Sequence, residues 1–468
     1  MLRFFSALLS MNLFAGAAMA AESADWIVHG KYVITMDATH RLIPDGAVAV
    51  RGSRIVGVGT QAEIRTRFTS PEIIDRSDSL VLPGLIDTHT HAPMSLFRGI
   101  ADDKHLQDWL ENYIFPAESK NVDPDFVRWG TRLACLEMVR AGITTYNDMY
   151  YFEMEQAETT KEAGVRGVLG QTVIGFPAPD FKSWQATIAG TDKYIQRFAK
   201  DDLIVPAVAP HAVYTTPDEA LIAAHQLSVK YNVPLTIHVA ETEKERVDLL
   251  TKRHLTPVQL LAKLGVLDGR VIAAHSVWLD DHDLTIYKEH GTGVAHCPSS
   301  NMKLASGVAR VAEMLRLGIH VGFGTDGFAG SNDTADILQE MDIGAKLQKV
   351  IRRDPTVLPA EQAVEMATLG GARVLGLDQE IGSLEEGKRA DLITISVAGA
   401  NAVPMYNVYS QIAYATKAGN VTDVFINGRP IVRDRHPLTL NPAEIYDHAE
   451  KYKAKILASI SNNSSPKR

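Results

Sequence analysis

The central part of the chain alternates short apolar runs with longer stretches of helical periodicity. Short apolar strands that alternate with helices are typical of parallel βα units in α/β proteins. Eight such units within residues 83–378 predict a (β/α)8 TIM-type barrel, whose active site lies at the carboxyl ends of the strands. The eight predicted strands cover residues 85–89, 143–147, 167–171, 204–209, 234–238, 271–275, 294–296 and 321–325.

Both ends of the chain show a different pattern, in which apolar and polar residues alternate in short runs separated by glycine. This pattern covers residues 21–82 and returns over residues 379–440. Alternation with a period of two is typical of strands that bury one face. We therefore predict that the two ends build one small β-sandwich domain together, and that a C-terminal helix and a polar tail follow over residues 441–468.

Residues 1–20 have the order of a secretory signal peptide. Arg3 precedes an interrupted apolar run, and the segment ends in the small residues Ala18-Met19-Ala20. We expect cleavage after Ala20 and export of the mature protein, to the periplasm, free of the membrane. An uncleaved N-terminal anchor is the alternative.

Composition narrows the range of partners. The formal net charge of −9 disfavours binding to nucleic acid or to an anionic membrane surface. Cys135 and Cys297 are the only cysteines, so the fold cannot depend on a disulfide framework. We expect both thiols to be small buried side chains.

The strongest local motif is Asp87-Thr88-His89-Thr90-His91, at the end of the first predicted strand. Residues two apart in a strand point to the same side. His89 and His91 can therefore offer two imidazoles to one ion, and neutral imidazole is a common ligand of zinc and related metals.

Four later strands also end in, or just before, a residue that binds metals or transfers protons. These residues are His211, His238, His275 and Asp326. Because the carboxyl ends of barrel strands gather at one mouth, the pattern predicts a metal centre there. For any single histidine the alternative is a hydrogen-bonded residue at the rim, and we favour that interpretation for His296, which has no matching partner.

These motifs resemble the amidohydrolase superfamily and, within it, the methylthioadenosine and S-adenosylhomocysteine deaminases. The resemblance spans nearly the whole mature chain and includes residues 296–301 and 382–392. It implies one divalent ion, with zinc expected, held by His89, His91, His238 and Asp326. His211 stands where two-metal relatives carry a carboxylated lysine, so a second metal is not expected.

The resemblance also implies catalytic roles. Glu241 would donate a proton to the substrate ring, Asp326 would accept a proton from the attacking water, and His275 would orient that water. The alternative for Glu241 is a solvated acid before a charged helix, since Glu243-Lys244-Glu245-Arg246 follows it.

Substrate binding would involve Glu241 and Asp326 together with three residues that match the deaminase subgroup. Glu118 would accept hydrogen bonds from ribose hydroxyls, Trp109 would form an aromatic wall, and His211 would lie over the sugar or the 5′ group. The alternatives are a helix-face acid, a core tryptophan and a rim histidine.

The expected activity is hydrolytic deamination of adenine nucleosides such as adenosine, 5′-methylthioadenosine or 5′-deoxyadenosine. The resemblance implies that members acting on S-adenosylhomocysteine hold its carboxylate with an arginine from the segment after the third strand. Residues 172–184 of this chain contain no arginine, and Lys182 is their only cation, so S-adenosylhomocysteine is disfavoured. One alternative is a hydrolase that acts on a free nucleobase, a pterin or an s-triazine at the same metal site. The activity of such an enzyme would not depend on Glu118. Another is a metal-binding or interaction protein without catalysis. A homodimer is compatible with such a barrel.

Overall fold

The computed structural model describes residues 21–461. The predicted signal peptide, residues 1–20, lies outside the described residues. The strands are β1 Glu22–Ser23, β2 Trp26–Ile34, β3 Leu42–Arg51, β4 Arg54–Thr60, β5 Phe68–Thr69, β6 Glu72–Pro83, β7 Leu85–His91, β8 Ile143–Tyr150, β9 Arg166–Val173, β10 Ile204–Pro210, β11 Leu235–Val239, β12 Val271–His275, β13 Gly293–His296, β14 Val321–Phe323, β15 Asp326–Gly327, β16 Leu392–Ser396, β17 Val421–Ile426, β18 Arg429–Arg433 and β19 His436–Pro437.

Helices follow most barrel strands, and the first helix of the described chain packs instead against β3 and β4 of the other sheet. They are α1 Gln61–Arg67, α2 Leu106–Asp108, α3 Phe115–Asn121, α4 Pro124–Arg140, α5 Glu153–Ala163, α6 Trp184–Phe198, α7 Asp218–Tyr231, α8 Glu243–Arg253, α9 Pro257–Lys263, α10 Asp281–His290, α11 Pro298–Lys303, α12 Val311–Arg316, α13 Ile337–Arg352, α14 Ala360–Met366, α15 Leu369–Leu375, α16 Val408–Ser410 and α17 Pro442–Ser461. A π-helical turn, Trp109–Ile114, joins α2 to α3.

Strands β7 to β14 form the predicted barrel, each parallel to the next in chain order. The predicted strands agree with these bounds to within about three residues, except that the eighth strand is broken. Its first part, β14, pairs with β13, and its second part, β15, pairs with β7 through Asp326 opposite Thr90. The break therefore closes the barrel and places Asp326 beside the histidine-bearing strand.

The two chain ends form one eight-stranded sheet, as predicted for a domain built from both ends. Its order is β19-β18-β17-β16-β6-β2-β3-β4, and the ends join where β16 runs antiparallel to β6, with Ile393 opposite Leu82. Alternate positions such as Val48, Val50 and Val81 bury their side chains in a core of their own.

A buried ion pair connects this sheet to the barrel. Arg166, the first residue of β9, donates from Nε and Nη2 to the two carboxylate oxygens of Asp391, at 2.8 and 3.1 Å. This contact lies at the amino-terminal end of the barrel strands, opposite the predicted site. Among residues 21–461, no helix combines the length and apolarity needed to cross a membrane.

Candidate active site

Four side chains at the carboxyl ends of the barrel strands converge on one point. His89, His238, His275 and Asp326 are buried, and each offers one ligand atom within 4.8 Å of the others. His91 adjoins them, with Nε2 3.3 Å from Oδ1 of Asp326. The structure thus brings together all four predicted ligands and adds His275 to the cluster. Imidazole nitrogens with a carboxylate oxygen are a donor set typical of zinc and related divalent metals.

His89 provides a direct test of whether this cluster fits a metal. Its side chain is fully buried, yet neither ring nitrogen makes a hydrogen bond within the described part of the chain. Burial lowers the pKa of His89 to about 4, which favours the neutral, metal-binding form. A buried polar group without a partner is costly, so a cation bound here would satisfy it.

The other three imidazoles are held by hydrogen bonds from Nδ1. His91 donates to the carbonyl of Met149 at 2.7 Å, and His238 donates to the carbonyl of His211 at 2.9 Å. His275 donates to Oδ1 of Asn301 at 3.0 Å. Such bonds fix the ring orientation and leave Nε2 free to bind a metal or a water molecule.

Asp326 lies directly after the break in the eighth strand. Its φ of +62° is in the left-handed region, and its Oδ2 accepts a hydrogen bond from Oγ of Ser300 at 2.5 Å. The break itself is held by Asp87, which accepts from the backbone N and from Oγ1 of Thr325 at 3.0 and 2.5 Å. Asp87 of the first motif therefore positions the last ligand rather than binding metal in the cluster.

Glu241 faces His275 across the site. Its side chain is buried, and Oε2 lies 3.9 Å from Nε2 of His275. Burial raises the pKa of Glu241, an effect that the nearby His275 opposes. Glu241 is therefore not the solvated loop acid that the charged sequence after it would suggest, and its environment favours a carboxyl group that carries a proton.

One pocket is lined by His91, His238, His275 and Asp326 of the metal site and by Glu241, together with Trp109, Glu118 and His211. Glu118 is buried on its wall, and burial raises its pKa to about 7, opposed by the neighbouring Tyr150 and Tyr151 hydroxyls. Trp109 is fixed by donating from Nε1 to the carbonyl of Ala329 at 2.7 Å. The remaining walls are largely apolar, formed by Met94, Leu106, Leu110, Ile114, Phe115 and Leu304 among others.

His211 lies between the metal cluster and the apolar wall. Its ring centroid is 4.8 Å from that of His238 and 6.2 Å from that of Phe115. Its Nδ1 bonds to Oγ1 of Thr215 at 2.8 Å, so Nε2 remains available to a bound molecule.

Several residues that hold the site were not singled out by sequence reasoning. Ser300 and Asn301 hold Asp326 and His275, although the sequence motif that contains them suggested no role for either. Glu245, a member of the charged run that follows Glu241, is buried at 4% exposure. Glu340 of α13 accepts from the backbone N of Ser299 and from Nδ2 of Asn332, both at 3.0 Å.

His296 differs from the prediction of a hydrogen-bonded rim residue. It is fully buried in β13, and neither ring nitrogen has a hydrogen-bond partner among residues 21–461. It is also outside the metal cluster. Cys135 and Cys297 are free and fully buried, as expected.

Comparison with known proteins agrees with this geometry. The amidohydrolase family profile matches residues 80–431. A 5-methylthioadenosine/S-adenosylhomocysteine deaminase 1 from Syntrophus aciditrophicus is 46% identical over 439 residues, covering 94% of this chain and 99% of the relative. A 5-methylthioadenosine/S-adenosylhomocysteine deaminase from Thermodesulfovibrio yellowstonii is 44% identical, covering 91% of this chain and 97% of the relative.

A similar solved structure is the crystal structure of an adenosine deaminase from Xanthomonas campestris with bound zinc. It superposes with a TM-score of 0.92 at 36% identity, and the match covers 94% of this chain and 100% of that one. Both the sequence and the architecture are thus shared over almost the entire described chain. The chain belongs to the amidohydrolase family.

Proposed function

We propose that the protein is a metal-dependent hydrolase that removes the amino group from the purine ring of adenine nucleosides, releasing ammonia and the inosine-type product. One observation carries this proposal: the same pocket is lined by His91, His238, His275 and Asp326 of the metal site, by Glu241, and by the buried Glu118. The deaminase names of the similar proteins support the same activity.

Zinc is the proposed ion, because the similar adenosine deaminase holds zinc and because the donor set here suits it. His89, His91, His238 and Asp326 would hold the ion, and His275, in the same cluster, would orient the attacking water. When bound, such an ion lowers the pKa of a water molecule, so that hydroxide is available near neutral pH.

The residues of the pocket then move two protons. Asp326 accepts the first proton of the attacking water while a C–O bond forms at the amino-bearing carbon, and Glu241 donates its proton to the adjacent ring nitrogen. Asp326 next protonates the amino group, and the C–N bond breaks to release ammonia. The second proton of the water restores Glu241, so the atoms and charges balance. His275 orients the water throughout.

We assign recognition of the sugar to Glu118. The hydrogen bonds that a buried carboxylate accepts from two ribose hydroxyls are both strong and directional. Trp109 forms one wall, and the free Nε2 of His211 faces the sugar or the 5′ group.

Among adenine nucleosides, we favour those with small 5′ groups: adenosine, 5′-methylthioadenosine and 5′-deoxyadenosine. Lys182, the only cation in residues 172–184, donates from Nζ to the carbonyl of Ala178 at 3.0 Å and does not line the pocket. The carboxylate of S-adenosylhomocysteine would therefore lack a partner from this segment.

Ultraviolet spectroscopy of the zinc-loaded chain from Ala21 onwards tests the proposal. The substrates are the three small nucleosides, S-adenosylhomocysteine, guanine and an s-triazine. We expect the small nucleosides to be converted, Glu241→Gln to reduce kcat by about 10²-fold or more, and Glu118→Ala to raise KM. Glu243→Gln, which changes an exposed acid, is the control. Conversion of only guanine or the triazine would contradict the nucleoside assignment.

We also propose that residues 1–20 direct export to the periplasm, and that the mature protein is a homodimer. The order of residues in the leader supports export. Cell fractionation with N-terminal analysis tests export, and retention of residues 1–20 on a cytoplasmic protein would contradict it. Light scattering of the purified protein tests the dimer.

A further inference from the structure

Glu245 is a buried acid that the proposed reaction does not use. It lies in the first turn of α8, beside exposed Glu243 and Lys244, yet its own side chain is only 4% exposed. Oε1 accepts a hydrogen bond from the backbone N of Ala240 at 3.1 Å, and Oε2 accepts one from the backbone N of Glu241 at 3.0 Å. Both carboxylate oxygens thus bind the turn that carries Glu241.

This arrangement differs from ordinary helix capping. Thr242 is the N-cap residue of α8 and accepts a hydrogen bond from the backbone N of Glu245. A glutamate at this third helical position usually returns a bond to the backbone N of the N-cap residue. Here Glu245 reaches past Thr242 to the two residues before it, so its bonds serve the turn rather than the helix end.

The same turn is bonded to the turn that carries His275. The carbonyl of Ala240, whose φ of +49° is left-handed, accepts from the backbone N of Val277 at 3.1 Å and of Trp278 at 2.9 Å. Arg246, next to Glu245, donates to the carbonyl of Trp278 at 3.1 Å. The start of α8 therefore fixes the ends of β11 and β12 relative to each other.

We propose that Glu245 is a positioning residue that sets the placement of the Glu241 carboxyl group against the substrate ring and, through Ala240, the placement of His275. The inference rests on the proposed function, in which Glu241 donates a proton to a ring nitrogen. A left-handed, non-glycine turn persists only when surrounding contacts determine it. The paired bonds from Glu245 are such contacts, and displacement of a catalytic group by about 1 Å can cost about 10²-fold in rate.

The first test compares Glu245→Gln, Glu245→Asp and the matched control Glu243→Gln. Glutamine places an amide donor against one of the two backbone N–H groups, whereas aspartate keeps the carboxyl group on a shorter side chain. We expect Glu245→Gln to lower kcat for adenosine by about 10²-fold with KM changed by less than about threefold, because the sugar contacts are untouched. Glu245→Asp should fall between Glu245→Gln and the wild type, and Glu243→Gln should match the wild type.

A binding measurement separates misplacement of Glu241 from other losses. Purine riboside has the ring nitrogen that Glu241 protonates, and 1-deazapurine riboside lacks it. The wild type should bind the first more tightly than the second, and Glu245→Gln should reduce that preference about tenfold or more, in line with the cost of misplacing a catalytic group. Glu243→Gln should leave the preference unchanged.

The outcomes distinguish this inference from the proposed function. If the wild type deaminates no adenine nucleoside, the proposed function fails. If the wild type is active and Glu245→Gln equals Glu243→Gln in both kcat and binding preference, the positioning role fails. The role also fails if kcat falls only in proportion to lost zinc or lost folded protein, measured by metal content and thermal unfolding.

Discussion

At the scale of single residues, burial determines what the carboxyl groups of the pocket can do. Glu118 and Glu241 are both buried at 4% exposure, and burial raises the pKa of each. For Glu241 this favours the proton that the reaction needs. For Glu118 the raised pKa opposes the proposed role, because the sugar contacts need an ionised carboxylate as acceptor.

Substrate affinity should therefore depend on pH through Glu118. Since burial raises its pKa to about 7, Glu118 is mostly protonated at pH 6 and mostly ionised at pH 8. Hydrogen bonds to charged groups are worth about 1.5–3 kcal/mol, so KM for adenosine should fall about tenfold between these values. Steady-state kinetics of the wild type and Glu118→Gln measure this.

The matched control for that experiment is 2′,3′-dideoxyadenosine, which lacks both sugar hydroxyls. Its KM should show little of the pH dependence, and Glu118→Gln should flatten the dependence for adenosine. An equal fall in KM for both nucleosides would place the titrating group elsewhere.

The sequence pattern identified the predicted metal ligands better than the residues that hold the site in place through hydrogen bonds. His89, His238 and Asp326 could be found because imidazoles and carboxylates recurred at strand ends. Glu245 could not, because a charged residue among charged neighbours looks solvated until the helix is seen to pack against the turn before it. Asn301 could not be identified either, since its hydrogen bond to His275 joins helix α11 to the end of strand β12.

At the scale of elements, parallel strands are the most predictable part of this fold. Each parallel strand is buried on both faces, so most of them appear in the sequence as short apolar runs. The break between β14 and β15 is not visible in such a pattern. It depends on Asp87, which binds the backbone and side chain of Thr325 from the opposite side of the closure.

Through Glu340, helix α13 connects the start of α11 with the loop that contains Asn332. This residue accepts from Ser299, next to Ser300, and from Asn332, whose Nδ2 also bonds the carbonyl of Thr325 at 2.6 Å. Replacement by alanine leaves the buried Nδ2 of Asn332 and the partly buried backbone N of Ser299 without this acceptor. We expect Glu340→Ala to lower the free energy of unfolding by about 2 kcal/mol, measured by urea denaturation.

Glu340→Gln should behave differently, in a way that depends on pH. Burial raises the pKa of Glu340 to about 8 from a usual value of 4.5. The folded state therefore keeps a proton that the unfolded state releases, so the contribution of Glu340 to stability falls as the pH rises from 4.5 to 8. Glu340→Gln should gain stability relative to the wild type over that range, while the exposed control Glu289→Gln should not. A constant difference across pH would contradict this.

In the molecule as a whole, the barrel sequence lies between the two chain segments that form the sheet. These two segments come together only through contacts between residues far apart in the sequence. The alternating patterns at the two ends predicted strands, but their registers are set by pairing across more than three hundred residues, as between Leu82 and Ile393. The Arg166–Asp391 pair that connects sheet and barrel is also distant in sequence, at 225 residues. Neither contact leaves a pattern in the local sequence. The sheet could therefore be predicted from its alternating residues, whereas its strand register and its contact with the barrel could not.

The Arg166–Asp391 ion pair should contribute to the free energy of unfolding of the protein without affecting substrate binding. The side chains of Arg166 and Asp391 are 7% and 2% exposed, so removal of one partner leaves a buried charge unpaired. We expect Arg166→Met to destabilise the protein by about 3–5 kcal/mol and the double variant Arg166→Met/Asp391→Leu to recover much of that loss. Because the pair lies at the opposite end of the barrel from the metal cluster, folded Arg166→Met should keep the wild-type KM. Urea denaturation and steady-state kinetics measure both effects, and additive losses in the double variant would show that the two side chains do not act as a pair.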